Sequence, residues 1–137
     1  DVQLVLKPHP RDYGLVFPQS VNVVLADSQV SSSALIRWAD LVLFTHTSIV
    51  LEAVVRDKPV GYLKYLVTSP PLHEHVQISW AINGEDELEA LVSQFLIGEK
   101  VRTYSIQERD GLLKTVVCPK GKNVLELYAR FLVGQLS

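Results

Sequence analysis

Leu41-Val42-Leu43-Phe44-Thr45-His46-Thr47-Ser48-Ile49-Val50-Leu51-Glu52-Ala53 is the stretch that decides the fold. Leu41 to Phe44 is a short, unbroken apolar run, as expected of a strand buried on both faces. A polar turn follows, and a helix is expected to open at about Ser48 and run to about Arg56. Strand, polar turn and helix amino terminus together suit an anion. Unpaired backbone N–H groups and the positive end of the helix dipole point the same way. Ile49, Val50, Leu51, Val54 and Val55 leave this helix no wide polar face, which predicts deep burial. Asp57-Lys58-Pro59 stops it, and Pro59-Val60-Gly61-Tyr62-Leu63 reads as the next strand.

Upstream, Val2-Gln3-Leu4-Val5-Leu6 is a strand candidate broken by Pro8, and Lys7-Pro8-His9-Pro10 follows it. Arg11 to Pro18 is a connector, and Val21-Asn22-Val23-Val24-Leu25 is a second strand. Ser31-Ser32-Ser33 offers an amino-terminal cap for a short helix from Ala34 to Ala39, ended by Asp40. Downstream, Lys64 to His75 reads as a long loop carrying Pro70-Pro71. Val76 to Ile82 alternates like a strand, with Val76, Ile78 and Trp80 on one face. Helices are expected from Asn83 to about Ile97, from Ser105 to Val117, and from about Val124 to Gln135. Strands alternating with helices predict an α/β domain with a mostly parallel sheet covered on both faces. The length of 137 residues fits a single domain, residues 1–137, with one core.

Composition excludes several function classes. A net charge of −2, without a basic stripe or interleaved aromatics, gives no footprint for nucleic acid. No apolar run approaches the length of a membrane span. Cys118 is the sole cysteine, so no internal disulfide can form, which fits a reducing, cytoplasmic setting. There is no Walker lysine motif and no G-x-G-x-x-G, which disfavours a P-loop nucleotidase or a standard nicotinamide enzyme. A serine hydrolase is disfavoured by the absence of G-x-S-x-G. His73-Glu74-His75 has no evident third ligand, and neither a metal nor a cofactor is expected. Trp38 and Trp80 are expected in a core or an interface. Methionine is absent even at position 1, which leads to the expectation of a piece of a longer protein.

In an open α/β sheet, ligands bind beyond the carboxyl ends of the strands. Lys7 to Pro10 and Thr45 to Ser48 both follow strands, so both are candidates for one crevice. His9 can donate to a phosphate oxygen, more strongly when protonated, and Pro8 and Pro10 restrict the backbone around it. Thr47 and Ser48 bring hydroxyls; Ser48 either caps the helix or meets the ligand. Glu52 lies one helical turn beyond Ser48, where it can accept hydrogen bonds from sugar hydroxyls, as an acidic group does for ribose in dinucleotide sites. Alternatively, Glu52 pairs with Arg56 at i+4. The spacing allows either.

His-Pro after a strand, a polar turn into Ser48-x-x-x-Glu52-Ala53, and a Lys58-Pro59-Val60 strand start together resemble the donor-binding half of GT-B-type enzymes. The nearest resemblance is to bacterial surface-polysaccharide enzymes: CDP-glycerol glycerophosphotransferases, capsule-polysaccharide transferases and UDP-N-acetylglucosamine 2-epimerases. It covers Val2 to about Leu63. The resemblance implies a Rossmann-like three-layer domain, one half of a GT-B fold, that binds a nucleotide-linked sugar or polyol donor. It implies donor-phosphate contacts from His9, His46, Thr47 and Ser48, and a ribose contact from Glu52. It further implies a separate amino-terminal acceptor domain, without which the chain would be inactive. For the full-length protein it implies peripheral membrane association and a homodimer. The epimerases carry a Gly-Gly pair where this chain has Thr47-Ser48, which favours the transferases. The alternatives are an epimerase-like fragment, or a non-catalytic α/β interaction or regulatory module that keeps the fold.

Overall fold

A computed structural model describes residues 2–9, 22–68, 78 and 80–116. The readings made for Pro10, the connector from Arg11, Pro70-Pro71, His73 to His75, Cys118 and the helix from Val124 lie outside the described residues. The elements alternate as expected of an α/β protein. β1 (Leu4–Leu6) and β2 (Val23–Leu25) precede α1 (Ser32–Trp38), β3 (Val42–Phe44) and α2 (Val50–Val55). β4 (Val60–Leu63), β5 (Ala81–Ile82), α3 (Glu85–Leu96) and α4 (Ile106–Val116) follow. The segment expected to be irregular after β4 opens with a 3₁₀ turn, Lys64–Leu66.

Every strand pairing among the described residues is parallel. β1 pairs with β2, and β3, β4 and β5 form a second sheet with β4 in the middle. Parallel neighbours need a crossover, which α2 supplies between β3 and β4. β4 is buried at Val60, Gly61 and Tyr62, as a strand covered on both faces must be. Gly61 permits this. A Cβ built there would lie 2.6 Å from Ile82 Cδ1 and 2.9 Å from Leu43 Cδ2, so these two side chains close over the bare backbone.

The core joins Phe44, Tyr62 and Trp80 from the sheet side to Ile36 of α1, to Val50, Ala53 and Val54 of α2, and to Tyr104 and Leu112. Phe44 and Tyr62 are register partners with ring centroids 5.4 Å apart. The Trp80 ring meets Phe44 edge-on at 5.1 Å. Such aromatic pairs add roughly 0.5–1.5 kcal/mol beyond the area they bury. Val50, Val54 and Val60 are essentially inaccessible, and each contributes about 1.5–3 kcal/mol by leaving water.

One expectation about burial is corrected: α2 is not covered all round, since Val55 is 49% exposed, because α1, α4 and the sheet cover only part of its surface. Of the two tryptophans expected in a core or an interface, Trp80 lies in the core and Trp38 is 55% exposed at the end of α1. The strand read from Val76 to Ile82 is seen only as Ala81–Ile82 among the described residues.

Helix ends follow local chemistry. Ser31 caps α1 by accepting from the Ala34 N–H at 3.1 Å. α2 and α3 both close by Schellman turns. Lys58 N–H reaches the Ala53 carbonyl and Asp57 N–H the Val54 carbonyl, while Glu99 and Gly98 do the same to Gln94 and Phe95. Gly98 takes the required left-handed conformation at φ 79° without a side chain to clash. Asp57 takes it at φ 56° with a side chain, and that carboxylate faces Arg102 at 3.5 Å and Arg109 at 3.7 Å.

Leu112→Ala is expected to lower stability by about 2–5 kcal/mol, since Leu112 is fully buried and its loss opens a cavity. Gly61→Ala should cost about 1 kcal/mol through overpacking against Ile82 and Leu43. Urea unfolding midpoints check both; an unchanged midpoint in either variant would contradict the packing described.

Candidate functional site

The carboxyl ends of β3, β4 and β5 share one edge of their sheet, because all three run parallel. The polar turn from Thr45 to Ile49 leaves that edge and enters α2. His46 and Ser48 are exposed on it, and the His46 ring lies 6.5 Å from the Tyr62 ring at the end of β4. Thr47 is half-buried, and its Oγ1 accepts from the Ile49 N–H at 3.3 Å. That bond stiffens the turn from within.

Ser48 does not cap α2. The helical run begins at Val50, its preceding residue Ile49 is already helical in φ and ψ, and no side chain caps it. The first turn winds tightly instead. Leu51 N–H donates to the Ser48 carbonyl at 3.1 Å and Glu52 N–H to the Ile49 carbonyl at 3.0 Å. These tight bonds, with Thr47, take three N–H groups that an untightened helix end would direct at an anion. Fewer open amides are left at this turn than at an untightened helix start, and they stand beside its polar side chains. The Ser48 hydroxyl, released from capping, stands at the surface.

At the end of β1, His9 is exposed. Lys7 lies two residues earlier. Its ammonium donates to the Asp27 carbonyl at 2.8 Å and the Ser28 carbonyl at 3.2 Å, pinning the turn after β2 to the end of β1. Sequence reasoning placed Lys7 in the candidate segment Lys7 to Pro10 but did not foresee these bonds. Nothing local signals them, because the partners are 20 and 21 residues away.

Glu52 is the most heavily engaged of the candidate residues. Its carboxylate accepts from Ser33 Oγ, at 2.6 Å from each oxygen, and from Arg56 Nε at 2.9 Å on Oε1. A second Arg56 nitrogen lies 2.8 Å from the same oxygen. The i+4 pairing with Arg56 is therefore formed, and Ser33 joins it from the first turn of α1. The Ser33 hydrogen bond, followed by those from Arg56, holds the Glu52 carboxyl below the usual carboxylate range. The triple serine was read as capping. Ser31 does cap, but Ser33 links α1 to α2.

The opposite end of α2 is held structurally. Arg109 Nε and Nη2 donate to the Val54 and Val55 carbonyls, satisfying the carboxyl end of that helix. Lys58 Nζ performs the same service for α1 through the Arg37 and Ala39 carbonyls. Burial, and secondarily Asp57, push the Tyr104 hydroxyl above its ordinary pKa and keep it a donor to the Lys58 carbonyl at 2.7 Å. Among the described residues no group of three or more His, Cys, Asp or Glu side chains is placed to hold a metal ion. No described helix is long and apolar enough to cross a membrane.

Because folding lowers the Glu52 pKa, its stabilising contribution is full above the unfolded carboxylate pKa. It is lost as pH falls through the lower folded value. Urea midpoints of the wild type and of Glu52→Gln, compared from pH 7 downward, are expected to converge below the ordinary carboxylate range. A difference that stays constant across that range would exclude the linkage.

Comparison with protein-family models, curated proteins and solved structures returned no match.

Proposed function

We propose that this chain is the donor-nucleotide-binding domain of a GT-B-type transferase. It would move a glycosyl or glycerophosphoryl group in bacterial surface-polysaccharide synthesis. The reading takes the described α/β elements as part of one Rossmann-like, three-layer half of that fold. The observation that carries it is the turn from Thr45 to Ile49. This turn leaves the carboxyl end of a parallel strand, presents His46 and Ser48 at the surface, and enters α2 at once. Open α/β sheets bind ligands at such ends.

In this reading the His46 imidazole and the Thr47 and Ser48 hydroxyls hold a donor diphosphate. His9, following β1, adds a further donor. As the bond to the transferred group breaks, negative charge builds on the departing nucleotide phosphate. Donors already oriented towards it lower that barrier without reorganising. Glu52 accepts from the ribose hydroxyls. A separate acceptor domain of a longer protein supplies the remaining wall of the cleft and the acceptor, and the chain alone turns nothing over. The same reading assigns the longer protein to the cytoplasm, associated peripherally with the membrane and self-associating as a homodimer.

One observation favours a second reading. Glu52 is already bonded to Ser33 and Arg56, and a carboxylate used that way suits a non-catalytic module that keeps the fold. Thermal unfolding with CDP, UDP and CMP distinguishes the two. A donor domain is stabilised by mass action, by about 2.7 kcal/mol at 100 times Kd, with at least one of these nucleotides. His9→Ala and Glu52→Ala are expected to remove that stabilisation while leaving a cooperative transition. Absence of any shift with all three nucleotides would leave the non-catalytic module as the reading.

A further inference from the structure

We infer that Ser33 and Arg56 are positioning residues that set the Glu52 carboxylate to recognise a vicinal diol, the chemistry offered by a ribose ring. The inference rests on the donor-nucleotide reading and deepens it.

The three residues come from two helices that start at the ends of strands. Ser33 lies in the first turn of α1, after β2, and Glu52 in the first turn of α2, after β3. The restraints on the carboxylate are unequal. Both Arg56 contacts fall on Oε1, whereas Oε2 receives only the Ser33 hydroxyl. A hydroxyl has one proton, so Ser33 can fully satisfy only one oxygen at a time. A carboxylate has about four acceptor positions, so Oε2 keeps capacity for incoming hydroxyls. The Glu52 side chain is 25% exposed, which leaves it reachable.

The chemistry of the group narrows its ligand. An ionised carboxylate only accepts, so it selects donors: hydroxyls, not phosphate oxygens. Its hydrogen bonds from Ser33 and Arg56 favour the ionised form and hold the carboxyl below the usual carboxylate range. Arg56 offsets its charge, which makes a carboxylate tolerable one helical turn from a turn that binds diphosphate. Fixed by two side chains, it pays little ordering entropy when a sugar arrives. A pair serving only to link α1 and α2 would affect stability and leave ligand choice untouched.

The test compares CDP and UDP with their 2′,3′-dideoxy forms by calorimetric titration of the 137-residue chain. Wild type is expected to favour the ribonucleotide by about tenfold, the scale of a hydrogen bond to a charged group. Ser33→Ala is expected to erase that preference and leave dideoxy affinity unchanged. Ser33→Thr, which keeps the hydroxyl, is expected to restore it. Arg56→Gln provides a second route and is expected to reduce the preference with Ser33 intact. A ribose preference as large as the wild type's in Ser33→Ala, or in Arg56→Gln if Ser33→Ala does not fold, overturns the positioning role while donor binding stands. Wild type that binds these nucleotides without preferring ribose overturns the role of Glu52 and this inference with it. Wild type that binds none of them overturns the donor reading itself.

Discussion

The parallel strand β4 is the constraint on which the described structure depends. It is hydrogen-bonded on both sides and buried at Val60, Gly61 and Tyr62. A strand in that position must have every backbone group answered and both faces filled. Its residues meet both demands. Phe44 and Trp80 gather around the Tyr62 side, while the missing Cβ of Gly61 admits Ile82 and Leu43. The entry to the strand is closed from far along the chain. Val60 N–H donates to Thr103 Oγ1 at 2.9 Å, and Tyr104 donates to the Lys58 carbonyl.

From that strand outward, the two ends of the β3–α2–β4 unit differ in character. The end where α2 runs into β4 is tied down by Arg109, Tyr104, Thr103 and the Asp57 ion pairs. The end where β3 runs into α2 carries polar side chains at the surface, with His46 and Ser48 exposed. Burying backbone carbonyls of a helix end requires donors, and Arg109 provides them. At the other end the tight first turn of α2 takes up the Leu51 and Glu52 amides, and Thr47 takes that of Ile49, beside the exposed side chains of His46 and Ser48.

Glu52 joins both themes. Its bond to Arg56 is local and its bond to Ser33 is not, and together they link the first turns of α1 and α2. The same contacts keep the carboxylate charged and hold it in one orientation. A structural tie and a ligand-selecting group need the same two properties, so the geometry serves either use.

Much of this architecture was legible from local pattern. Apolar runs marked β1 to β4, the serine run from Ser31 to Ser33 marked the start of α1, and Asp57-Lys58-Pro59 marked the end of α2. Glu52 and Arg56 were one helical turn apart, so their pairing could be anticipated. Each of these signals lies within a few residues, where backbone sterics, capping and side-chain periodicity act. The tertiary structure alone decided the rest. It set Ser33 on Glu52 across 19 residues, Thr103 on Val60 across 43, and Arg109 on α2 across 55. It also left Trp38 and Val55 at the surface although both are strongly apolar. Burial and long-range hydrogen bonds depend on which elements become neighbours, and no local pattern encodes that adjacency.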